Sequence, residues 1–242
     1  MTESTQDYQG YSFGDARYAI YAVPPLGSPL KAVGDTWLGR DPDIDEPLPH
    51  PTIEGIEAER LSEITASPRH YGFHATLKAP FGLAQDAEAG TLVDALTTFV
   101  AGREPIDVRL KVASLGDFIA LVPAEPVPAL QRLADDAVRD FESFRAPPTP
   151  EDRERRRPER LTGRQREYLD RWGYHWVFEE FVFHMTLTGR LNEPEHSRVR
   201  ALLERLTEPF LQEPLRIDQL ALFTQTHRVA PFRVVDRYRF GR

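Results

Sequence analysis

The sequence of 242 residues predicts an α+β fold made of two similar halves. The pentad FHxTL occurs twice, in residues 73–77 and 183–187, with its two histidines 110 residues apart. A helical pattern and then a β-hairpin pattern follow each pentad, so we infer a duplicated unit of strand, helix and hairpin. Apolar residues make up 40% of the chain, which supplies a packed core and excludes a disordered or coiled-coil protein.

The individual elements follow from periodicity and from chain-breaking residues. Runs rich in β-branched and aromatic residues predict strands in the ranges 17–23, 71–79, 106–113, 118–122, 174–189, 215–223 and 232–240. Apolar residues at helical spacing predict helices in the ranges 56–64, 92–100, 130–144, 164–172 and 199–206. The paired prolines 24 and 25 end the first strand, because proline cannot donate a backbone hydrogen bond.

These elements indicate a single bilobal domain over residues 1–242. We expect lobes at about 17–125 and 165–240, and we allow for an exchange of strands between them. Residues 146–162 are rich in arginine and proline and contain almost no apolar side chain. They are therefore expected to form an exposed insertion.

The charge balance and the composition limit the partners and the compartment. Thirty basic residues against 38 acidic residues give a net charge of −8, which argues against a nucleic-acid partner, although residues 145–166 hold eight arginines. No apolar run approaches the ~18 residues of a membrane span, and no signal peptide is visible. The absence of cysteine excludes disulfides, thiolate nucleophiles and cysteine zinc sites. We expect a cytoplasmic monomer that acts on a small phosphorylated substrate.

Alternation along a strand places the polar residues of each pentad on one face, opposite the phenylalanine and the leucine. Each copy then presents an imidazole, a hydroxyl two residues later and a cation beyond it. The side chains are His74, Thr76 and Lys78 in the first copy and His184, Thr186 and Arg190 in the second. A single HxT sequence has little meaning, but two copies with similar flanks favour a functional pair.

Cleavage of a cyclic phosphodiester needs a base for the attacking oxygen and an acid for the departing oxygen. Two histidines near their ordinary pKa of ~6.5 can hold these opposite states together, so we expect the pair to titrate at about pH 6 to 8. Their rings are expected about 6 to 8 Å apart, since each must reach its own oxygen of one phosphorus. The threonine hydroxyls can donate to the non-bridging oxygens. No carboxylate lies at a ligand-like spacing to either histidine, so we expect no metal and no cofactor.

Arg190 and two further residues are candidates for substrate binding. Arg69 and Arg190 could each hold a second phosphate. Tyr71 lies three residues before His74, and this parity places its ring on the side of Phe73, where packing is favoured unless the strand is bulged.

The sequence also resembles a known superfamily. The paired HxT motifs, one in each half of the chain, resemble those of the 2H phosphoesterases, which include cyclic nucleotide phosphodiesterases and RNA-ligase-like proteins. More narrowly, the segments RYAIYAVPP, WLGRD, SPRHYGFHATLKAPF and FHMTLTGRL resemble an uncharacterised family found in bacterial phosphonate-utilisation operons. It implies a bilobal, pseudo-two-fold duplicated fold in which two antiparallel sheets flank a central cleft with helices outside. It also implies a catalytic tetrad of His74, Thr76, His184 and Thr186.

The leading functional hypothesis is a metal-independent cyclic phosphodiesterase for a small ribose-containing phosphodiester, with phosphonate metabolism as the context that the resemblance implies. One alternative is an RNA 2′,5′-ligase-like enzyme or an RNA-end phosphodiesterase, which would need a continuous basic path out of the cleft. Another alternative is a non-catalytic sensor of a phosphate ligand, which would tolerate the loss of one histidine. This chain keeps both histidines.

Overall fold

The computed structural model describes residues 16–241. The strands are β1 (Arg17–Ala22), β2 (Arg40–Asp41), β3 (Glu46–Pro47), β4 (Ala75–Gly82), β5 (Ile106–Val108), β6 (Leu110–Leu115), β7 (Phe118–Pro123), β8 (Met185–Thr186), β9 (Leu215–Ile217), β10 (Gln219–Gln225) and β11 (Arg233–Arg239). The helices are α1 (Pro29–Leu38), α2 (Ala58–Arg69), α3 (Ala89–Ala101), α4 (Pro128–Asp140), α5 (Pro150–Arg155), α6 (Gly163–Trp172) and α7 (Glu195–Thr207). The α+β class predicted from the sequence is confirmed.

The main sheet has seven strands in the order β11-β10-β1-β4-β8-β7-β6, and its neighbouring strands run antiparallel. The expectation of two separate sheets needs correction, because β4 and β8 pair and join the two halves into one sheet. This junction is short, since its register consists of Ala75 opposite Met185. The two pentads therefore meet at the centre of the sheet.

Strands from distant parts of the chain alternate within this sheet. The C-terminal hairpin β10-β11 pairs with β1, while the hairpin β6-β7 from the first half of the chain lies beside β8. A separate two-stranded sheet pairs β5 with β9, with Ile106 opposite Ile217. Each side of the molecule thus depends on backbone hydrogen bonds between the first and second halves of the sequence.

The two faces of the main sheet have different environments. Ile20, Ala75 and Met185 belong to one large apolar cluster together with buried side chains of α1, α2, α3, α4 and α7. On the opposite face, Tyr21 and Phe223 belong to a smaller aromatic cluster. Helices therefore cover one face of the sheet, and the opposite face is available for a functional site.

The predicted strand over residues 174–189 is mostly wrong. Only Met185–Thr186 pair as a strand, and a 3₁₀ turn occupies Phe178–Glu180. Phe178 has a φ of 54°, a left-handed conformation that breaks an extended chain. Val177 and Phe178 pack against Val138 in a small cluster of their own, and this burial gave the segment its strand-like apolar pattern.

The arginine- and proline-rich insertion lies on the surface, and none of residues 146–162 is buried. Its short helix α5 begins after Thr149, whose hydroxyl accepts a hydrogen bond from the backbone of Asp152 at 3.2 Å. Ion pairs join Asp152 to Arg228 and Arg153 to Asp170. The insertion is therefore attached to the rest of the chain through polar contacts alone at these points.

The helices are short and one-sided. The longest, α3, α4 and α7, have 13 residues each and bury one apolar face. Within residues 16–241, no helix has the length and apolar character needed to cross a bilayer.

Candidate active site

The pairing of β4 with β8 brings the two pentads together. Extending the register of Ala75 and Met185 by one residue in each direction places each histidine opposite the threonine of the other pentad. The opposed pairs are His74 with Thr186 and His184 with Thr76. Because diagonal partners on one face of an antiparallel pair stand about 7 to 8 Å apart, the two histidines are diagonal neighbours at about that backbone distance. All four side chains are partly exposed, whereas the pentad residues between them are buried.

Backbone carbonyls determine the tautomer of both histidines. His74 Nδ1 lies 2.9 Å from the carbonyl oxygen of Gly72, and His184 Nδ1 lies 2.7 Å from that of Val182. A carbonyl oxygen can only accept a hydrogen bond, so Nδ1 donates in each case and Nε2 has the free lone pair. Both rings thus use the carbonyl two residues before them and leave the same nitrogen for chemistry.

Thr76 contacts the reactive nitrogen of the first histidine. Its hydroxyl oxygen lies 3.2 Å from His74 Nε2. Since Nδ1 holds the ring proton, the hydroxyl donates to Nε2. A hydroxyl in this position can turn toward an anion when one binds, because its proton rotates freely.

Aromatic rings hold the two imidazoles in place. Tyr21 stacks on His74 with ring centroids 3.8 Å apart, and Phe223 lies 6.2 Å from the same imidazole. Phe118, at the start of β7, contacts the His184 ring at 5.9 Å. These aromatic residues were not predicted as site residues, and the signal that could have identified them is the pairing of their strands with the pentads.

Burial changes the protonation of both histidines. The pKa of His74 is lowered to about 4, mainly by burial; the hydrogen bond to Gly72 raises it, and the charge of His184 adds a smaller lowering effect. Burial also lowers the pKa of His184, while its bond to Val182 raises it. Both imidazoles are therefore neutral at pH 7 in the free protein, and each Nε2 can act as a base.

The prediction that Lys78 shares the face of His74 is wrong. Thr76 lies opposite Tyr21 and Lys78 lies opposite Ile20, so Leu77 is an extra residue in β4 and forms a β-bulge. The bulge turns the lysine to the helix-covered face. There its ammonium group donates to the carbonyl of Val138 at 2.9 Å and to Glu142 at 2.7 Å.

Arg69 is also directed away from the pentads. Its guanidinium group donates to the side chain and the carbonyl of Ser62, both at 3.1 Å, and lies 3.0 Å from His50 Nε2. These contacts tie it to its own helix and the preceding loop. The structure therefore does not bring Arg69 into the site.

Arg190 lies at the edge of the site. Its side chain is exposed and forms an ion pair with Asp117 at 3.4 Å. Asp117 precedes Phe118, the residue in contact with His184. The guanidinium group is thus near the second histidine and accessible from solvent.

Tyr71 lies on the site face, although strand parity placed it on the side of Phe73. The parity does not apply, because β4 begins only at Ala75 and Gly72 has a φ of 83°. The Tyr71 ring stacks on Phe232 at 5.1 Å and lies 6.1 Å from the His74 ring. The structure therefore brings Tyr71 to the pentads by a turn rather than by a strand.

A comparison with protein families matches most of the chain to a family model. The family described as "Protein of unknown function (DUF1045)" matches residues 76–233. This chain belongs to the DUF1045 family. The matched range includes Thr76, His184 and Thr186, and it begins two residues after His74.

Two curated relatives of this DUF1045 chain are named "Ribose 1,5-bisphosphate phosphokinase PhnN". The protein from Janthinobacterium sp. (strain Marseille) is 37% identical over 221 residues, which cover 89% of this chain and 49% of that protein. The protein from Laribacter hongkongensis (strain HLHK9) is 34% identical over 223 residues, which cover 90% of this chain and 50% of that protein. The chain spans about half the length of the curated relatives it matches.

Two solved structures of E. coli LigT resemble this DUF1045 chain at low similarity. The complex with NADP+ gives a TM-score of 0.39 and covers 94% of this chain and 99% of that chain. The complex with 3′-AMP gives 0.41 and covers 93% and 98%. Both are 12% identical to this chain, and a likeness of this size decides nothing about its chemistry.

The described part of this DUF1045 protein contains no group of three or more His, Asp or Glu side chains arranged to hold a metal ion. The groups available for chemistry are two imidazoles whose Nε2 atoms carry no proton and two threonine hydroxyls.

Proposed function

We propose that this chain is a phosphodiesterase that opens a cyclic phosphodiester with two histidines and without a metal ion. The observation that supports this most is the antiparallel pairing of Ala75 with Met185, because it sets the two HxT pentads head to tail on one face. A phosphoryl group between two such imidazoles has one Nε2 for the attacking oxygen and the other for the leaving oxygen.

The two histidines have different roles in this proposal. His74 has the strongly lowered pKa, so it stays neutral and takes the proton of the attacking water. The water oxygen forms a bond to phosphorus while the ring P–O bond breaks, and protonated His184 gives its Nε2 proton to the departing oxygen. Thr76 and Thr186 donate to the non-bridging oxygens as negative charge develops on them. Exchange of one proton with solvent then restores both imidazoles.

The names of the curated relatives suggest the substrate class. They refer to ribose 1,5-bisphosphate. Addition of water across the 1,2-cyclic phosphate of ribose 5-phosphate gives this same bisphosphate when the bond between phosphorus and O2 of the ribose breaks. We assign no kinase activity to this chain. Its three lysines all follow a leucine, so the sequence lacks the Gly-Lys pair of a phosphate-binding P-loop. The proposed reaction therefore supplies a compound of the class that those names describe.

The direct test is ³¹P NMR of the 1,2-cyclic phosphate of ribose 5-phosphate incubated with the protein in excess EDTA. We expect the cyclic phosphate signal to convert to that of a phosphomonoester. His74→Asn and His184→Asn should each lower kcat by about 10²- to 10⁴-fold, the usual contribution of a general acid or base.

The matched control is His196→Asn, since His196 lies on α7, on the helix-covered side of the sheet. This variant should keep the wild-type rate. Full activity in either pentad variant, or loss of activity in EDTA with recovery on adding one divalent cation, would contradict the paired-histidine proposal.

A further inference from the structure

Within residues 16–241, Arg17 forms no ion pair with a carboxylate, and its guanidinium group lies over the Phe232 ring at 5.4 Å. Phe232 stacks on Tyr71, whose ring lies 6.1 Å from that of His74. Arg17, at the start of β1, donates from Nε to the side-chain oxygen of Gln225 at 2.8 Å, and its Nη2 donates to the same oxygen. Gln225 is fully buried, and its amide nitrogen donates to the carbonyl of Ala230 at 2.7 Å, which fixes the orientation of its oxygen. The arginine is therefore held in one direction by a neutral group, and its charge is not neutralised by this contact.

A second guanidinium group reaches the same region from the insertion. Arg156 follows α5 and lies over the ring of Tyr174 at 4.7 Å. Within residues 16–241 it forms no ion pair, unlike its neighbour Arg153, which pairs with Asp170 at 2.8 Å. Arg156 is only partly exposed, so its lack of an anionic partner is not explained by free solvation.

The charges of both arginines affect the pKa of Tyr21, an aromatic residue of the candidate active site. Burial raises the pKa of Tyr21, and the charges of Arg17 and Arg156 lower it in part. Tyr21 is the residue that stacks on His74 at 3.8 Å. Tyr71, whose ring lies 6.1 Å from that of His74, and Tyr174 act on the same hydroxyl. Asp152, one helical turn before Arg156, pairs with Arg228, whose carbonyl accepts a hydrogen bond from the Gln225 that holds Arg17, so these contacts bring both arginines to one side of the site.

The side chains joined by these contacts include three arginines and one carboxylate, in a chain whose net charge is −8. Asp152 is the carboxylate nearby, and Arg228 already binds both of its oxygens, one of them at 2.7 Å. In the part of the chain that the structure describes, Arg17 and Arg156 thus remain as two positive charges that form no ion pair with a carboxylate. Planar guanidinium groups bind phosphate oxygens in a bidentate manner, and tyrosine hydroxyls can donate to the same oxygens.

We propose that Arg17 and Arg156 form a second anion subsite beside His74, which binds a phosphate group of the substrate that is not cleaved. This inference rests on the proposed function and narrows its substrate class to sugar phosphodiesters that bear a further phosphomonoester. Because Arg156 belongs to the insertion, the preference for substrates with two phosphate groups then depends on that segment.

The test measures binding of two probes by calorimetry at physiological ionic strength. The probes are ribose 1,5-bisphosphate, which has both phosphates, and ribose 1-phosphate, which lacks the second. We expect the wild-type protein to bind the bisphosphate about 10- to 100-fold more tightly, the range of one or two charge-assisted hydrogen bonds. Arg17→Gln and Arg156→Gln should each reduce this preference to a few-fold.

The matched control is Arg155→Gln, which removes the same charge from an exposed position of the same insertion. It should keep the preference, and equal melting temperatures should show that all the variants are folded. Retention of the preference in both Arg17→Gln and Arg156→Gln, or failure of the wild-type protein to bind the bisphosphate, would overturn the subsite.

The two proposals can fail separately. Arginine-dependent preference for the bisphosphate in a protein that hydrolyses no cyclic phosphodiester would support the subsite and reject the catalytic proposal. Hydrolysis of the cyclic phosphate of ribose 5-phosphate at the same kcat/KM as that of unphosphorylated ribose 1,2-cyclic phosphate would reject the subsite alone.

Discussion

At the scale of single residues, the carbonyl oxygens of Gly72 and Val182 fix which nitrogen of each histidine faces the site. Burial fixes the charge, because both imidazoles lose solvation and their pKa values fall. The sequence alone indicated unperturbed imidazoles that titrate between pH 6 and 8. It could not give the lowered values, because these depend on the rings of Tyr21 and Phe118, which lie far away in the sequence.

The first prediction concerns the pH dependence of kcat/KM, which reports the free enzyme. The productive state needs His74 neutral and His184 protonated. The rate should fall below about pH 4, where His74 becomes protonated, and should also fall above the lowered pKa of His184, which is less than its ordinary 6.5. We therefore expect a bell with its maximum between about pH 4 and 6.5, and its two apparent pKa values belong to the pair.

The profile of kcat should lie at higher pH than that of kcat/KM, because a bound phosphate anion favours the protonated imidazoles. Steady-state kinetics across pH 3.5 to about 9 measure both profiles. A kcat/KM that rises steadily through pH 8 would show that neither histidine has to be protonated.

The alternation of side chains along a strand correctly predicted which residues of each pentad are buried. Phe73, Ala75 and Leu77 are buried as expected, and so are their counterparts in the second copy. The position of Lys78 could not be predicted in this way, because one extra residue in β4 reverses the alternation beyond Thr76. No local sequence signal such as glycine or proline marks this bulge at Leu77.

The second prediction is that Lys78→Met destabilises the fold. The lysine is buried against Val138 and Glu142, and its removal leaves a partly buried carboxylate with Arg145 as its remaining ion-pair partner. Since Glu142 retains some solvent contact, we expect a loss of about 1 to 3 kcal/mol in the free energy of unfolding. Urea denaturation measures it.

Steady-state kinetics on the same Lys78→Met protein complete this test. A stable variant with strongly raised KM would instead place the lysine in contact with substrate. An unchanged KM in a destabilised variant would agree with the contacts described for β4.

At the scale of elements, the best-predicted features are those with local signals. The helix over 164–172 was predicted almost to its ends, and Thr162 with Gln165 forms a capping box at its start. Helix α1 was missed although Ser28 caps it and Gly39 ends it at a φ of 79°, so these two residues were signals that could have been used. The short strand β8 could not be bounded from sequence, because it is defined by its neighbours β4 and β7.

The third prediction concerns the insertion of residues 146–162. Its attachment relies on ion pairs such as Asp152 with Arg228, and exposed ion pairs contribute little free energy. Trypsin should therefore cut first after Arg153, Arg155 or Arg156, while the bond between Arg157 and Pro158 resists cleavage. Mass spectrometry of a time course identifies the cut.

The effect of a ligand on the cleavage rate tests whether the insertion takes part in ligand binding. Addition of ribose 1,5-bisphosphate should slow the cleavage, because the proposed subsite would hold Arg156 in place. Earlier cleavage at an arginine outside residues 146–162 would show that the insertion is more firmly docked than its polar contacts indicate.

At the scale of the whole molecule, the repeat found in the sequence corresponds to two antiparallel pairings. β4 pairs with β8 through the pentads, and β5 pairs with β9, the strands that precede the hairpin after each pentad. Each pairing joins equivalent parts of the predicted repeat, and we infer from this an approximate two-fold relation through the centre of the sheet. The similarity of FHxTL alone could indicate the repeat, but not which hairpin pairs with which strand.

The last prediction follows from that mixing of strands. A cut within residues 146–162 divides the chain into one piece with β1, β4, β6 and β7 and another with β8, β10 and β11. Because β10 pairs with β1 and β8 lies between β4 and β7, backbone hydrogen bonds of the main sheet join the two pieces on both sides. The nicked protein should therefore elute as one species in size-exclusion chromatography and melt in a single transition, and neither piece should show cooperative melting alone. The uncut protein is the control for the transition temperature. Separation of the pieces without denaturant, or two transitions at different temperatures, would mean that the lobes fold independently and that the exchanged strands contribute little to the stability of the sheet.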